Sequence, residues 1–299
     1  MDDPQELLYL GPEGSYSHNC AHLIQSELLP DLRLVSCDSI YAIHREQKKN
    51  HSALGLFPVE NSLGGGVSET LDGLFERLEQ PQILLEWVLP IEHNLLSTGS
   101  LNQIKEVRAH YQSLAQCASF LREHLAQAEK IVTSSNSSAI LSILEEDPAK
   151  RSLLAAIASK EAAELYRLPI ITEAINDFKH NATRFWLIGR DAKKKFNRSD
   201  SKQALVSIAF QMPADKPGGL LKVLQSLARQ DLNLTRIESR PTKGRLAEYT
   251  FFIDFVATDK LSRIALSGLL DELESLCSVF KFFGHYPVFP DPDPRFQRC

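Results

Sequence analysis

Residues 7–17 read LLYLGPEGSYS, an apolar run that ends at Gly11-Pro12 and is followed by hydroxyl side chains. This order predicts a strand, a glycine turn and the start of a helix. Ala53 to Phe57, a run that ends at Pro58, predicts another strand. Later stretches carry apolar residues at the i, i+3, i+4, i+7 spacing of an amphipathic helix: Leu71, Leu74, Phe75 and Leu78, then Leu114, Cys117, Ala118 and Leu121. Strands that alternate with helices predict an α/β domain with largely parallel pairing, in which ligands bind beyond the carboxyl ends of the strands.

The polar segment GRDAKKKFNRSDSKQ, residues 189–203, has no apolar periodicity and predicts a linker. We therefore place one domain at residues 1–190, the linker at 191–203 and a second domain at 204–299. In the second domain, alternation predicts strands and helical spacing predicts helices, in this order: Val206 to Met212 (strand), Leu220 to Leu227 (helix), Asn233 to Arg240 (strand), Tyr249 to Phe255 (strand), Leu266 to Leu273 (helix) and Val279 to Phe283 (strand). The order β-α-β-β-α-β is the α+β ferredoxin-like unit, which hosts many functions.

Composition limits the classes of partner. The 299-residue chain has a formal net charge of -5, which argues against nucleic acid as the main ligand, because phosphate neutralisation needs clustered Lys and Arg. No apolar run is long enough for a membrane span or a secretory signal, so we expect no membrane partner. The five cysteines are scattered without a CxxC pair, which suits reduced thiols in a cytoplasm and argues against a metal site.

Stretches of glycine, hydroxyl or amide residues follow apolar runs in the first domain: GPEGSYS (11–17), PVENSLGGGV (58–67), SSNSS (134–138) and NATRF (181–185). In the first three, the helix N-termini would favour negative charge, and in the first two, glycines would bring backbone N–H groups to a ligand. The candidate hydrogen-bond donors are Ser15, Asn61, Ser62 and Ser135. The alternative for any one stretch is helix capping, which uses the same residue types. Three such turns in one domain favour a shared anion-binding cleft.

The fourth stretch adds a fixed cation. Arg184 can hold a carboxylate through two parallel hydrogen bonds, Thr183 supplies a hydroxyl next to it, and Phe185 can exclude water or pack under a ring. The alternative reading of Asn-Ala-Thr as a glycosylation sequon is weak, because a cytoplasmic chain would not use it. The sequence shows no convincing Ser/His/Asp triad, Walker loop or dinucleotide fingerprint, and Gly64-Gly65-Gly66 lacks the Lys-Ser/Thr that follows in a Walker loop. Residue chemistry therefore predicts binding of a small anion in an α/β cleft, without a metal or a nucleotide cofactor.

The order of these motifs resembles a known family. The segments GPEGSYS, FPVENSLGGGVSETLDGL, LPIEHNLL, HYQSLAQCASFL and INDFKHNATRF are similar to successive motifs of prephenate dehydratases. DKPGGL and NLTRIESRP resemble the two regulatory motifs of the family's ACT domain. The resemblance runs from about residue 7 to 286 in the family's order.

The resemblance implies a two-lobed catalytic domain of the periplasmic-binding-protein type, followed by an ACT domain. It implies conversion of prephenate to phenylpyruvate without a cofactor, with Thr183 as the catalytic residue that donates to the departing hydroxyl. Arg184 would bind a carboxylate, and Asn61, Ser62 and Ser15 would donate further hydrogen bonds. Glu60 would supply a proton only if it were buried, and orienting a backbone turn is its alternative role.

The resemblance also implies that L-phenylalanine binds where the ACT domain pairs with a partner chain, so we expect a homodimer or a homotetramer. One group of candidate effector residues offers backbone N–H groups at a turn from strand to helix, and another ends the next strand. These residues are Asp215, Pro217, Gly218, Gly219 and Leu220, then Glu238, Ser239, Arg240 and Pro241. The alternative is that Pro-Gly and Arg-Pro simply end secondary-structure elements.

Some positions depart from the family's pattern. The family usually has Thr at Ser15 and Pro at Tyr111, and an extra glycine stands at Gly219. These changes affect substrate preference and effector response more than the reaction. Three other functions stay open: an arogenate dehydratase, whose motifs are not separable from these; a decarboxylase that keeps the ring hydroxyl, although such relatives lose the Thr-Arg-Phe motif; and a non-catalytic amino-acid sensor.

Overall fold

The computed structural model describes residues 5–78, 81–190, 196, 204–213, 217–242, 248–257 and 261–290. The predicted linker, apart from Phe196, and the candidate residue Asp215 lie outside the described residues.

The first domain contains, in chain order, β1 (Glu6–Leu10), α1 (Tyr16–Leu28), β2 (Arg33–Cys37), α2 (Ile40–Lys49), β3 (Leu54–Asn61), β4 (Gly65–Gly66), α3 (Ser68–Glu76), β5 (Gln82–Pro90), β6 (Asn94–Leu96), a 3-10 turn (Leu101–Gln103), β7 (Glu106–His110), α4 (Tyr111–Gln116), α5 (Ala118–His124), β8 (Glu129–Thr133), α6 (Asn136–Leu144), α7 (Pro148–Arg151), β9 (Leu154–Ala158), α8 (Lys160–Tyr166), β10 (Ile170–Thr172) and β11 (Ala182–Gly189).

The first domain folds into two α/β lobes, as expected. In the first lobe the strand order is β5-β11-β3-β1-β2, and in the second lobe it is β10-β6-β9-β7-β8. The chain passes into the second lobe after β5 and returns before β11. Hydrogen bonds join these crossover segments, from Ile91 N to Asn181 O at 2.8 Å and from Ile175 N to His93 O at 2.8 Å.

The expectation of largely parallel pairing is corrected to mixed pairing. β1 is parallel to β2 and β3, and β7 is parallel to β8 and β9. β11 is antiparallel to both β3 and β5, and β6 is antiparallel to β9 and β10. The reason is the double crossover: a strand that arrives from the other lobe runs away from the hinge, opposite to its neighbours. β3 therefore ends where β11 begins.

The second domain has the predicted β-α-β-β-α-β order. Its elements are β12 (Ala204–Gln211), α9 (Gly219–Arg229), β13 (Leu234–Pro241), β14 (Tyr249–Val256), α10 (Arg263–Leu276) and β15 (Val279–Phe289). The strand order is β13-β14-β12-β15, with antiparallel neighbours. Helices α9 and α10 cover one face, where Phe210, Val223 and Leu273 are buried.

The other face of this sheet packs on the first lobe. Phe252, Phe283 and Tyr286 share a buried cluster with Trp186 and Phe57 of that lobe. β15 is longer than predicted, and its last residues pair in parallel with β5, so one continuous sheet joins the two domains. None of the helices among the described residues is long and apolar enough to cross a membrane.

Candidate active site

The site is built where the end of β3 meets the start of β11. The antiparallel register places Thr183 opposite Asn61 and Arg184 opposite Glu60. Successive side chains of a strand leave on opposite faces. Thr183 contacts the amide of Asn61, whereas Arg184 contacts carboxylates on the other face of the sheet. The second and fourth sequence stretches therefore meet here directly.

The orientation of the Asn61 amide follows from backbone hydrogen bonds. Its Oδ1 accepts from Leu63 N at 3.1 Å and from Gly64 N at 2.9 Å, so this atom is the oxygen. Its Nδ2 then faces Thr183 Oγ1 at 3.0 Å and Asn181 Oδ1 at 2.9 Å. Because the amide nitrogen only donates, Thr183 accepts from it. The contact with Asn61 therefore does not use the hydroxyl proton of Thr183.

A buried polar chain continues from this pair into the hinge between the lobes. Asn181 Nδ2 donates to Gln116 Oε1 at 2.9 Å, and His93 Nε2 lies 2.8 Å from the same oxygen. This places a proton on Nε2 of His93. Its Nδ1 lies 2.8 Å from the Tyr16 hydroxyl oxygen, and that hydroxyl also donates to Glu92 O at 2.7 Å. Burial lowers the pKa of His93 more than its bond to Gln116 raises it, which agrees with a neutral ring.

Gln116 was not selected from the sequence, although it lies in one of the quoted motifs. The predicted helix through Leu114 and Leu121 is interrupted at Cys117, where φ is -117 and ψ is 18. The break frees Gln116 O to accept from Asp177 N of the returning crossover at 2.8 Å. Helical spacing marks the apolar stripe but carries no signal for such a break, and this explains why Gln116 was missed.

Ser62 braces the same corner from the other side. Its hydroxyl accepts from Ala182 N at 3.0 Å, and its own backbone N–H donates to Ala182 O at 2.9 Å. Ser62 Oγ also lies 3.3 Å from Asn181 Oδ1. These contacts hold the loop after β3 against the start of β11, next to Thr183.

Ser15 and Ser135 each cap a helix. Ser15 Oγ accepts from His18 N at 3.2 Å at the start of α1, and Ser135 Oγ accepts from Ser138 N at 3.0 Å at the start of α6. Their hydroxyls therefore do what the capping alternative predicts. The loop before α1 nevertheless comes close to the second lobe, because a Cβ at Gly14 would lie 2.7 Å from the Tyr166 ring and 3.1 Å from Ser137 Oγ.

Arg184 differs from its predicted surroundings. Its Nη1 lies 2.7 Å from Glu60 Oε2, and its Nη2 lies 2.6 Å from Glu86 Oε2 and 2.9 Å from Asp254 Oδ2. Burial disfavours the guanidinium charge, but Glu86 and Asp254 outweigh it and raise the pKa of Arg184 well above its ordinary value. The expectation that Arg184 binds a substrate carboxylate is corrected, because protein carboxylates already occupy its donors.

Phe185 and Glu60 also have structural partners. Phe185 is 1% exposed and packs in the first lobe's core with Tyr9 and Trp87, so it does not line the cleft. Strand alternation places the ring on the same face of β11 as Leu187, which is buried in that core as well. Glu60 is paired with Arg184, an arrangement that orients the strand ends.

The candidate effector segments divide between two surfaces. Gly218, with φ of 84, precedes α9, and Gly219 and Leu220 begin that helix. This agrees with the alternative that Pro-Gly lies at a boundary between secondary-structure elements. On β13, Ser239 and Pro241 are exposed.

The side chains of Glu238 and Arg240 face the first domain instead. Arg240 lies 3.1 Å from both oxygens of Asp72 and 2.6 Å from Ser68 Oγ, at the start of α3. Glu238 lies so close to Gly66 that a Cβ there would clash with it. The effector-binding role expected for Glu238 and Arg240 is therefore corrected to a contact between the domains, since strand alternation directs both side chains inward.

Comparisons with known protein families match most of the chain. The profile of the family described as prephenate dehydratase matches residues 7–193, and that of the ACT domain matches residues 206–265. The chain is similar to a prephenate dehydratase from Methanocaldococcus jannaschii, at 38% identity over 95% of this chain and 98% of the relative.

Solved structures share the fold. Prephenate dehydratase from Arthrobacter aurescens in complex with L-Phe has a TM-score of 0.80 and 29% identity, over 94% of this chain and 90% of that one. A protein described as a novel type of quorum quenching acylase has a TM-score of 0.77 and 25% identity, over 96% of this chain and 98% of that one.

Proposed function

The chain belongs to the prephenate dehydratase family, and we propose that it converts prephenate to phenylpyruvate under the control of L-phenylalanine. The observation that carries the proposal is the Asn61–Thr183 pair, in which a fixed amide leaves a hydroxyl proton for the substrate. In this reaction the electron pair of the breaking bond to carbon dioxide completes the aromatic ring as the ring C–OH bond breaks. The hydroxide takes up a proton and leaves as water.

Thr183 would act by stabilising charge rather than as a free acid. A threonine hydroxyl is a weak acid, but a donor fixed in advance towards the departing oxygen stabilises the charge that develops there. The buried chain through Asn181 and Gln116 supports this role, because it holds Asn61 from the hinge side. Closure of the two lobes around the substrate would orient the ring and exclude water.

The two carboxylates of prephenate need other partners than Arg184. We assign them to the backbone N–H groups at the starts of α1 and α6, which are capped by Ser15 and Ser135 on opposite lobes. The close approach of Gly14 to Ser137 supports a shared anion site between these helix starts. Ser62, at the loop after β3, would then approach the same molecule from the first lobe.

Phenylalanine would bind the second domain. The solved relative from Arthrobacter aurescens is in complex with L-Phe, and residues 206–265 of this chain match the ACT domain. The turn at Pro217 and Gly218, together with Ser239 on β13, stays our proposed effector site. Inhibition would require that phenylalanine bind one arrangement of the domains better than another.

Pairing of second domains is part of this proposal. Within the described residues β13 is at the edge of the continuous sheet and exposes half of Ile237, and Leu221 on α9 is 55% exposed. An unpaired strand edge beside apolar side chains favours association with a second copy. We therefore propose a homodimer or a homotetramer.

We also propose a cytoplasmic location. Cys20, Cys37 and Cys117 are free and buried, and burial raises the pKa of the Cys117 thiol to about 12. Such unreactive thiols suit a reducing compartment.

The acylase neighbour shows that this fold accommodates other activities. Hydrolysis of an acyl group needs a nucleophile within reach of a base. Here the hydroxyl of Thr183 is hydrogen-bonded by an amide, which is not a base. This favours a role as hydrogen-bond donor, and hence dehydration over acyl hydrolysis.

The test compares prephenate with arogenate, the aminated analogue, at equal concentrations. Formation of phenylpyruvate with a larger kcat/KM for prephenate supports the proposal. A larger kcat/KM for arogenate would make the protein an arogenate dehydratase, and turnover of neither would favour a binding protein.

A further inference from the structure

The buried guanidinium of Arg184 is shared between the two domains. Glu60 is on β3 and Glu86 on β5 of the first lobe, whereas Asp254 is on β14 of the second domain. The side chain of Asp254 is 1% exposed and that of Glu86 is 3% exposed. Because Asp254 and Glu86 are removed from water, loss of one partner would leave an uncompensated charge in the cluster.

This cluster lies one residue away from the proposed catalytic pair. Arg184 follows Thr183 on β11, and Glu60 precedes Asn61 on β3. The Arg184–Glu60 ion pair therefore holds together the same two strands whose next residues form the Asn61–Thr183 hydrogen bond. A shift of the guanidinium would move the backbone on which Thr183 is carried.

Asp254 is itself firmly fixed. Its Oδ1 accepts from Ser207 Oγ at 2.6 Å, and Ser207 Oγ lies 2.6 Å from the Tyr286 hydroxyl. Its Oδ2 is shared between Arg184 at 2.9 Å and Arg236 at 3.4 Å. These partners come from several strands of the second domain, so the carboxylate moves with that domain as a unit.

We propose that Asp254 is a positioning residue for Thr183 and acts across the domain boundary through Arg184. The inference rests on the proposed function. It assigns to the second domain a role in turnover even when no phenylalanine is bound. The second domain is then needed for full turnover, because it supplies one of the carboxylates that hold the catalytic strand.

The test is the kinetics of Asp254→Asn in the full chain. The amide keeps the shape and can still accept from Ser207, but it lacks the charge that holds Arg184. We expect kcat to fall by about tenfold to a hundredfold with KM nearly unchanged, the range produced by a small misplacement of a catalytic group. In an Arg184→Gln background the same substitution should have little further effect, because the two act through one contact.

Asp72→Asn is the matched control, since Asp72 pairs with Arg240 across the same domain boundary but is not joined to Thr183. Its kcat should equal that of the wild type. If Asp254→Asn fails to fold, Ser207→Ala replaces it, because this change only loosens the carboxylate and should lower kcat to a smaller extent.

Unchanged kcat in folded Asp254→Asn, or in Ser207→Ala where that variant replaces it, would overturn the inference. An equal loss in Asp72→Asn, or an undiminished loss in the Arg184→Gln background, would overturn it as well. Failure of the wild type to turn over prephenate would contradict the proposed function instead.

Discussion

The Nδ2 of Asn61 donates to the hydroxyl of Thr183 over 3.0 Å, and backbone N–H groups fix which end of the amide faces that hydroxyl. Two residues that are far apart in the chain, on β3 and β11, thus form a hydrogen bond in which the Thr183 hydroxyl accepts and Asn61 donates.

Replacing Thr183 by alanine should lower kcat far more than it weakens prephenate binding. Loss of one fixed donor to a developing oxyanion lowers kcat by about 10²–10³-fold in comparable sites. Thr183→Ser keeps the hydroxyl and is the matched control, with kcat close to wild type. Steady-state kinetics on both variants checks this, and an equal loss in kcat and in substrate affinity for folded Thr183→Ala would contradict a transition-state role.

Asn61→Asp should be as damaging as Thr183→Ala, although it changes the shape very little. A carboxylate at this position would accept the proton of Thr183, so that the hydroxyl could no longer donate to the substrate. Asn102→Asp, on an exposed turn of the second lobe, makes the same chemical change away from the site. Measured kcat should fall in the first variant and stay constant in the second, and equal kcat in both would refute the proton assignment.

The Arg240–Asp72 contact should carry the phenylalanine response without affecting basal turnover. Arg240→Gln removes a two-pronged ion pair between β13 and α3, so that movement of the second domain reaches the first domain less directly. We expect a higher phenylalanine concentration for half inhibition at unchanged kcat. Arg229→Gln, which breaks an exposed ion pair with Glu272 within the second domain, should leave inhibition intact. Equal inhibition of both variants would contradict this coupling.

His44 predicts how stability depends on pH. Burial, with a smaller contribution from Arg77, lowers the pKa of His44 from 6.5 to about 4. The unfolded chain therefore binds a proton more readily, so the stabilisation is complete above pH 6.5 and is lost as the pH falls towards 4. The loss should reach about 3 kcal/mol for a shift of this size.

The measurement is urea unfolding of the wild type and of His44→Leu between pH 7 and pH 4.5. The leucine variant should lose less of its free energy of unfolding over that range. If both proteins lost the same free energy of unfolding over that range, His44 would bind a proton as readily in the folded protein as in the unfolded chain.

The sequence predicted elements well where one face is buried and contacts are local. The alternation in β12 and β14 and the stripe in α9 all correspond to observed elements, because burial of one face determines their spacing. Whether neighbouring strands pair in parallel or antiparallel was harder to predict from the sequence. The run that became β11 carries no mark of its return from the other lobe.

The candidate site was predictable in its motifs but not in its partners. Asn61 and Thr183 stood out in the two stretches that meet. Arg184 looked available for a ligand because its partners are distant in the chain: Glu86 is 98 residues away and Asp254 is 70 residues away. No local spacing signals an ion pair closed by the fold over such separations.

The most direct test of the account is phenylpyruvate formation from prephenate by the purified protein, with and without phenylalanine. We predict rapid formation that phenylalanine slows, and near-complete loss of formation in Thr183→Ala. Absence of phenylpyruvate with the folded wild-type protein would contradict the proposed activity, and formation unaffected by phenylalanine would contradict its proposed control.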